Sequence, residues 1–266
     1  MARIHPLACV DPAAQIADDA EIGPFCVIGP DVSIASGCRL IAHVHVAGHT
    51  SIGARTVVYP YGSLGGPPQS LSYRGEPTKL VIGADCDLRE GVTMSVGTLA
   101  GGGVTEVGDH GMFMAHAHVA HDCRVGSHVV FANCATLAGH CQIGDHVFLG
   151  GLTAILQNSR IGAHAMLGGL SGVRADVIPF ALVYGVTARL AGINVVGMRR
   201  RDFSTESIAA ARKAYRMLFF GKATMKERIE TIAAEFWSDP AVAQMLAFIR
   251  AGANRPLCRP GRAADE

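Results

Sequence analysis

Histidine, whose side chain can act as both acid and base near neutral pH, occurs 12 times in 266 residues. His121 stands two positions after Val119 and is followed directly by Asp122. An imidazole titrates near neutral pH, so it can accept a proton from an attacking hydroxyl or amine. We therefore take His121 as a candidate general base. Eight other histidines instead follow a repeated hydrophobic position by three residues, which favours outward corner positions: His43, His49, His110, His116, His128, His140, His146 and His164.

A six-residue repeat must position these side chains. Hydrophobic residues recur at every sixth position over 10–64, 82–94 and 107–173. Three such hexads would close one triangular coil of 18 residues, and coils would stack with the ~4.8 Å spacing of parallel strands. Glycine often follows the repeated residue, as at Gly23, Gly53 and Gly108, and its backbone freedom suggests a tight corner there. The pattern predicts a hexapeptide β-helix but leaves its handedness open.

A second slot, four residues after each repeated hydrophobic residue, is almost always small. Five of the eight cysteines occupy it: Cys26, Cys38, Cys86, Cys123 and Cys141. We interpret these thiols as small buried hydrophobic groups. The chain has no CxxC pair of zinc-binding type and no secretion signal that would favour disulfides. This cysteine usage predicts a reducing, cytoplasmic compartment.

A coil of 18 residues would stack His121, Gly139 and Gln157 in one column. His140 is next to Gly139, and His118 is near His121 along the chain. Such a set can perform acyl transfer, because imidazole can act as the base and an unshielded glycine N–H can stabilise an oxyanion. No serine or cysteine is clearly paired with His121, which favours direct attack by the acceptor. The alternative is that His121 is only a polar surface residue.

The same histidines leave a zinc site open as a second interpretation. His116 and His121 are five residues apart, and His118 would lie near His140. Hexapeptide-repeat carbonic anhydrases bind zinc with a similar histidine pair and a third histidine across a subunit interface, and spacing alone does not exclude this. A basic helical extension is not needed in such an enzyme, which disfavours it. A noncatalytic trimeric scaffold is the third possibility.

The hexads fade after Pro179, which divides the chain into a β-helix over 1–190 and a helical domain over 191–266. Loops are predicted at 65–79 and 98–106, where glycine and proline interrupt the repeat. Three helices are predicted to begin at Ser204, at a capping box of Thr224 with Glu227, and at Asp239 followed by proline. This domain would cover one end of the prism, with a loose tail from Arg255.

Charge is divided between the two regions. Residues 199–266 carry 13 Lys and Arg against 8 Asp and Glu, a net charge of +5, whereas residues 1–198 carry 10 against 14, a net charge of −4. The basic region suggests an acidic partner. The overall charge of +1 gives no indication of nucleic-acid binding. No run of about 18 apolar residues predicts an integral membrane segment.

Six longer motifs stand out: IGPFCVIGP (22–30), RGEPT (74–78), AHVAHDC (117–123), ATLAGH (135–140), IGAHAMLGG (161–169) and GINVVGMRRR (192–201). With these motifs the sequence resembles the UDP-N-acetylglucosamine acyltransferase family, which begins lipid A synthesis in Gram-negative bacteria. The resemblance implies a left-handed β-helix and a homotrimer with active sites between subunits. It also implies transfer of a (R)-3-hydroxyacyl chain from the phosphopantetheine thioester of acyl carrier protein to the 3-position of the UDP-sugar, without metal or another cofactor.

The resemblance also implies roles for individual residues. His121 would be the general base, Asp122 would orient or polarise it, and Gly139 would supply the oxyanion amide. Gly169 lies where the family measures acyl length. Substrate contacts would come from His118, His140, Gln157, Asn194, Arg200, Arg201 and Ser70, with the arginines suited to the diphosphate.

Several positions depart from the family pattern. Uncharged residues stand where the family often has charged or histidine side chains: Ser70, Ser72, Ser95, Val96, Leu156 and Val196. These changes remove charge from the surroundings of the sugar and the nucleotide. A neutral amine is a better nucleophile than a hydroxyl and needs less help from neighbouring groups. An alternative acceptor is therefore the 3-amino sugar analogue, which would give an amide.

Overall fold

Three flat sheets of short strands enclose a triangular prism in the computed structural model, which describes residues 2–252 and 255–261. Up to Val173 successive strands visit the three sheets in turn and pair in parallel with the strand one coil away, as Val119 does with Leu137. The last two strands, Ala181–Tyr184 and Arg189–Ile193, instead pair antiparallel with each other. The prism is a left-handed β-helix followed by a helical domain, as predicted.

The strands are numbered in chain order. Sheet A holds β1 (Arg3–Ile4), β4 (Glu21–Ile22), β7 (Arg39–Leu40), β10 (Val57–Val58), β13 (Asp87–Leu88), β16 (Met112–Phe113), β19 (Val130–Phe131), β22 (Phe148–Leu149), β25 (Met166–Leu167), β27 (Ala181–Tyr184) and β28 (Arg189–Ile193). Sheet B holds β2 (Cys9–Val10), β5 (Val27–Ile28), β8 (His45–Val46), β11 (Ser63–Gly66), β14 (Thr93–Ser95), β17 (His118–Val119), β20 (Thr136–Leu137), β23 (Ala154–Ile155) and β26 (Gly172–Val173). Sheet C holds β3 (Gln15–Ile16), β6 (Ser33–Ile34), β9 (His49–Ile52), β12 (Lys79–Ile82), β15 (Val104–Val107), β18 (Arg124–Val125), β21 (Gln142–Ile143) and β24 (Arg160–Ile161).

The repeated hydrophobic residues fill the prism, because the second residue of each short strand points inward. From Ile22 onward they are buried, whereas Val10 and Ile16 in the first coil are only partly covered. The five cysteines of the small slot are buried free thiols, as predicted. Each coil buries these aliphatic side chains and the small residues beside them. This burial contributes roughly 25 cal/mol of folding free energy per Å² of apolar surface.

The tight corners of the coils lie at a different position from the glycines that were predicted to form them. Positive φ occurs three residues after the repeated hydrophobic position, and histidines occupy seven of those corners with φ between 52° and 62°. His49 is the exception, because it begins β9. Glycine follows the hydrophobic residue for a different reason: Gly53 does not have positive φ, but a Cβ there would lie 2.4 Å from the Gly83 carbonyl carbon. Close stacking of coils therefore requires these glycines.

Two loops leave the prism where the hexads break. The first connects β11 to β12 over 67–78, and the second connects β14 to β15 over 96–103. A short 3₁₀ helix, Leu99–Gly101, lies within the second loop. Residues 65, 66 and 79, and residues 104–106, lie in strands rather than in these loops. Each loop returns the chain to sheet C.

Four α-helices follow the prism in the described part of the chain: α1 (Val195–Arg199), α2 (Thr205–Phe220), α3 (Met225–Glu235) and α4 (Pro240–Arg250). The last three begin at the predicted caps, since Ser204, Thr224 with Glu227, and Asp239 each bond the first turn. The helix α1 was not predicted. Helix α2 packs against β28 at the end of the prism and against α3 and α4, and its Ala211 and Leu218 are fully buried.

The segment after α4 is docked on the prism, which contradicts the predicted loose tail from Arg255. The Asp176 N–H donates to the Pro256 carbonyl (2.9 Å), and the Cys258 N–H donates back to the Asp176 carbonyl (2.7 Å). The Cys258 thiol is buried. These pairings hold the tail in place as a short strand-like addition up to Gly261. Residues 262–266 of the predicted tail lie outside the described residues.

No helix among residues 2–252 and 255–261 has both the length and the apolar character needed to cross a membrane.

Candidate active site

His121 and Asp122 form a hydrogen-bonded pair at the corner between sheets B and C. The His121 Nδ1 lies 2.7 Å from Asp122 Oδ2, and the Asp122 side chain is completely buried. Asp122 takes the left-handed corner conformation (φ 60°), which turns its carboxylate back toward the preceding imidazole. An ionised carboxylate can only accept a hydrogen bond, so the His121 Nδ1–H must be the donor. In the neutral imidazole, Nε2 then keeps its lone pair. The pair can therefore act as a base.

Two threonines surround the Asp122 carboxylate and backbone. The Thr98 N–H donates to Oδ1 (2.7 Å), and the Thr98 hydroxyl donates to Oδ2 (2.7 Å). The Asp122 N–H donates to the Thr105 hydroxyl (2.8 Å). Thr98 lies in the second loop, and Thr105 lies in β15 directly after that loop. Sequence reasoning missed both residues, because their only signal was a break in the repeat.

Gly139 packs directly on the His121 ring. A Cβ at Gly139 would lie 2.5 Å from His121 Cε1 and 2.7 Å from Nε2. The Gly139 N–H has no hydrogen-bond acceptor within the described part of the chain, whereas the neighbouring His140 N–H donates to the His121 carbonyl (3.0 Å). A free N–H beside a basic nitrogen is a suitable donor for a developing oxyanion.

His140 and His118 lie on either side of this centre. The His140 ring meets the His121 ring edge-on with centroids 5.0 Å apart, and its Nε2 is 3.6 Å from Asp122 Oδ2. The His118 Nδ1 is 2.7 Å from the Thr93 hydroxyl. Burial lowers the pKa of His118 by penalising the imidazolium. His118 is therefore a neutral hydrogen-bonding group near pH 7.

Gln157 lies one coil beyond Gly139, since the Asn158 N–H donates to the Gly139 carbonyl (3.1 Å). Its carbonyl accepts a bond from Arg255 Nε (2.6 Å), which ties the tail to this column. The column predicted from the 18-residue spacing thus holds His121, Gly139 and Gln157 in successive coils.

Asn194, Arg200 and Arg201 lie at the other predicted part of the site, around a groove of about 690 Å³ with an apolar floor of Phe148, Met166 and Leu182. The Asn194 side chain caps α1 by accepting from the Gly197 N–H (2.9 Å) and donates to the His164 carbonyl (2.9 Å). The Arg201 guanidinium donates to the Gly197 and His146 carbonyls (3.1 and 3.3 Å). Within one chain, sheet A carries this groove and sheet B carries His118.

Comparison with known proteins identifies the relatives of the chain. The chain is 60% identical to the acyl-[acyl-carrier-protein]–UDP-N-acetylglucosamine O-acyltransferase of Azorhizobium caulinodans, over 98% of this chain and 97% of that protein. The enzyme of the same name from Caulobacter vibrioides is 50% identical over 97% of this chain and 98% of that protein. The chain belongs to the UDP-N-acetylglucosamine O-acyltransferase family.

Two further comparisons agree with this membership. The family model described as UDP N-acetylglucosamine O-acyltransferase, domain 2, matches residues 176–258 of the acyltransferase. The solved LpxA structure from Acinetobacter baumannii is similar with a TM-score of 0.93 and 38% identity, over 96% of this chain and 99% of that one. The chain is thus an acyltransferase with the left-handed β-helix of its relatives.

The donor set of the acyltransferase fits a metal ion poorly. Of the described residues, His121, Asp122 and His140 have possible ligand atoms within 4.8 Å of one another. The Asp122 carboxylate, however, already accepts bonds from the Thr98 N–H, the Thr98 hydroxyl and His121. His116, part of the zinc interpretation, instead packs on Gly91 at the corner between sheets A and B. A metal would have to break the contacts that orient His121.

Two further predicted substrate-binding residues, Ser70 and Gly169, lie outside the column of His121, Gly139 and Gln157. Ser70 lies in the first loop, where its hydroxyl is 2.9 Å from the Ser72 hydroxyl. Gly169 is exposed beside the corner between sheets A and B, where a Cβ would lie 3.2 Å from the Gly151 carbonyl oxygen. Of the departures from the family pattern, Ser95 and Val96 are buried, whereas Leu156 and Val196 are exposed.

Proposed function

We propose that the acyltransferase moves a (R)-3-hydroxyacyl chain from acyl carrier protein to the 3-hydroxyl of UDP-N-acetylglucosamine, the first step of lipid A synthesis. The observation that carries this proposal is the His121–Asp122 pair with the free Gly139 N–H beside it. The relatives named for this reaction align over nearly the whole chain. Since its co-substrate is acyl carrier protein, we place the enzyme in the cytoplasm.

His121 would act as the general base. Because Nδ1–H is held by Asp122, Nε2 can take the proton of the sugar 3-hydroxyl as its oxygen attacks the thioester carbonyl carbon. The resulting oxyanion would accept a hydrogen bond from the Gly139 N–H. When the C–S bond breaks, the imidazolium returns its proton to the leaving phosphopantetheine thiolate. The products are the 3-O-acyl sugar and the free thiol, with no metal or other cofactor in the sequence of steps.

A homotrimer would complete the site, and the outer faces of the sheets support this assembly. The outer face of sheet C is polar, with exposed Glu106, Arg124 and Gln142. The outer face of sheet A carries a half-buried apolar stripe: Met112, Val130, Phe148, Met166 and Leu182. Packing sheet A of one subunit on sheet B of the next would cover this stripe and bring it opposite His118.

Exposed apolar corners also support three-fold assembly. Along the corner between sheets A and B, Phe25, Tyr61, Leu152 and Leu170 are 51%, 66%, 59% and 61% exposed. A cyclic head-to-tail arrangement of three prisms brings this corner to the central axis, where the apolar side chains meet. The same arrangement places the groove of Arg200 and Arg201 beside the His121 centre of the neighbouring subunit.

Charged groups would hold the two substrates. Arg200 and Arg201 would bind the diphosphate, because guanidinium groups pair well with phosphate oxygens. His118, His140, Gln157, Asn194 and Ser70 would contact the sugar nucleotide, and Gly169 would border the end of the acyl chain. Acyl carrier protein is acidic, so the helical domain, with its net charge of +5 over 199–266, would attract it.

The relatives are named O-acyltransferases, which favours the 3-hydroxyl sugar over the 3-amino analogue as acceptor. Purified enzyme should be assayed with both nucleotide sugars and a series of acyl carrier protein thioesters, by following thiol release. We expect turnover with the 3-hydroxyl sugar. Exclusive use of the amino sugar, or no acyl transfer at all, would contradict this proposal.

The decisive variant is His121→Asn, which keeps the size of the side chain but removes the basic nitrogen. We expect kcat to fall about 10²- to 10⁴-fold, the usual contribution of a general base. Circular dichroism and the oligomeric mass should match those of the unmodified enzyme. Undiminished turnover in a correctly assembled variant would reject His121 as the base.

A further inference from the structure

We propose that Thr98 is a positioning residue that fixes the Asp122 carboxylate for its bond to His121. The inference rests on the proposed function, since it assigns the residue that acts through the His121–Asp122 pair. Thr98 touches both carboxylate oxygens: its N–H donates to Oδ1 and its hydroxyl to Oδ2, each at 2.7 Å. Oδ2 also receives the His121 Nδ1–H at 2.7 Å.

The carboxylate needs such support because of where it lies. The Asp122 side chain is fully buried, so water cannot orient it. One bond to His121 would leave the carboxylate free to rotate about its Cβ–Cγ bond. The two bonds from Thr98, one to each oxygen, fix the plane of the carboxylate and thereby aim Oδ2 at Nδ1. The imidazole orientation, and with it the direction of Nε2, is then set by the loop that carries Thr98.

The Thr98 hydroxyl has a second bond that only a hydroxyl could make at the same time. It donates to Asp122 and accepts from the Gly101 N–H (3.2 Å), which caps the 3₁₀ helix Leu99–Gly101. Gly101 packs its bare backbone on the carboxylate, since a Cβ there would lie 2.0 Å from Asp122 Cγ. The inserted loop is therefore built around this contact and closes the carboxylate off from solvent.

Other charged and titratable groups also face the pair. His140 Nε2 is 3.6 Å from Asp122 Oδ2, and His118 is on the adjacent strand. Arg124 and Arg160 line the open polar cleft of about 550 Å³ beside Asp122. None of these donates a hydrogen bond to the carboxylate, so Thr98 and His121 share it.

The test is Thr98→Val, which keeps the shape and the N–H donor but removes the hydroxyl. We expect kcat to fall about tenfold while KM for both substrates stays within about twofold, because Thr98 is buried against Asp122 and is not one of the proposed substrate contacts. The lost donor leaves Oδ2 more negative toward His121, which stabilises the imidazolium. The acidic limb of the pH–rate profile should therefore move upward by about half a pH unit. Thr98→Ser, which keeps the hydroxyl, should restore both the rate and the profile.

The matched control is Thr153→Val, which removes another buried hydroxyl, bonded to the Gly168 carbonyl (3.2 Å). Valine already occupies equivalent interior slots at Val129 and Val147, and this variant should keep the kinetics and pH profile of the wild type. Should Thr98→Val not fold, Thr98→Ala carries the same expectations. Given an active wild type, unchanged kcat, or a loss of kcat without the upward movement of the limb, rejects the role of Thr98. Such a result leaves the acyl transfer itself intact, whereas an inactive wild type rejects the proposed function.

Discussion

At the scale of single residues, the His121 imidazole is held from three sides. Asp122 binds Nδ1, the His140 ring meets it edge-on, and the Gly139 backbone lies against Cε1 and Nε2. This leaves a narrow range of orientations for the ring. The absence of a side chain at Gly139 lets the His121 ring pack against the backbone and leaves the proposed oxyanion donor, the Gly139 N–H, uncovered.

Gly139→Ala tests this contact. The added Cβ would lie 2.5 Å from His121 Cε1, closer than carbon atoms approach, so the ring must move away from Asp122. We expect kcat to fall about 100-fold or more. The control is Gly29→Ala in an N-terminal coil, where the nearest atom is 3.5 Å away and activity should be retained. Steady-state kinetics on both variants provide the measurement. A nearly normal kcat for Gly139→Ala would show that the orientation of the His121 ring does not depend on this contact.

The sequence could place His121, Gly139 and Gln157 in one column because each of them occupies a defined position of a repeat. It could not show Thr98 or Thr105, since both lie where the repeat is interrupted and their partner is elsewhere in the chain. The glycines after the repeated hydrophobic residue were misinterpreted for a related reason. A sequence shows that a side chain is missing, but only the stacked coils show that the next coil occupies its space.

At the scale of elements, one corner of the prism carries a column of stacked imidazoles. The rings of His110, His128, His146 and His164 lie 4.6, 4.8 and 4.8 Å apart, and Phe180 continues the stack 5.0 Å beyond His164. Burial, helped by His146 and Arg201, lowers the pKa of His164 to about 4. Burial and Arg201 also lower the pKa of His146. His146 and His164, at the end of the column next to Phe180, are therefore neutral at pH 7.

The column predicts that acid destabilises the fold. Between about pH 6.5 and pH 4 the unfolded chain binds a proton at His164 that the folded chain does not, so stability falls as pH falls through this window. His164→Phe keeps the stack and removes that proton site. We expect the loss of Tm between pH 7.5 and pH 5 to shrink by a few degrees.

The control for this measurement is His128→Phe, which changes an exposed ring of the same column. It should leave the acid sensitivity of Tm as in the wild type. If the two variants lose the same amount of Tm between pH 7.5 and pH 5, His164 is not the source of the acid sensitivity.

At the scale of the whole molecule, the distribution of polar and apolar faces predicts the assembly. Leu170 is 61% exposed on the corner between sheets A and B, and Leu170→Lys would place like charges together at a three-fold axis. We expect this variant to be unable to form the proposed trimer and to lose most activity, with native mass spectrometry reporting single chains of 27.8 kDa.

The matched control is Val81→Lys on the outer face of sheet C. Val81 is 39% exposed and pairs with Glu106 of the neighbouring strand, so the new charge has a partner there. This variant should remain trimeric and active. A monomeric wild type, or a trimeric Leu170→Lys variant, would contradict the proposed arrangement.

Most of the architecture could be predicted because each hexad repeats the same information, and the helix caps are local signals. The docked segment near Cys258 could not, since its pairing with Asp176 occurs once and joins distant parts of the chain. The short helix α1 was also missed. Its cap, Asn194, is recognisable only when the His164 carbonyl that binds the same side chain is in place.

The stacking of coils has a consequence for biosynthesis. Most strand pairs join residues one coil apart, as Val125 pairs with Ile143, so a coil can dock as soon as the next one has left the ribosome. The pairing thus allows the nascent chain to build its prism in order from the amino end, with few unpaired strands exposed at any time. The segment around Cys258 must return to Asp176, so this closure waits for the release of nearly the complete polypeptide.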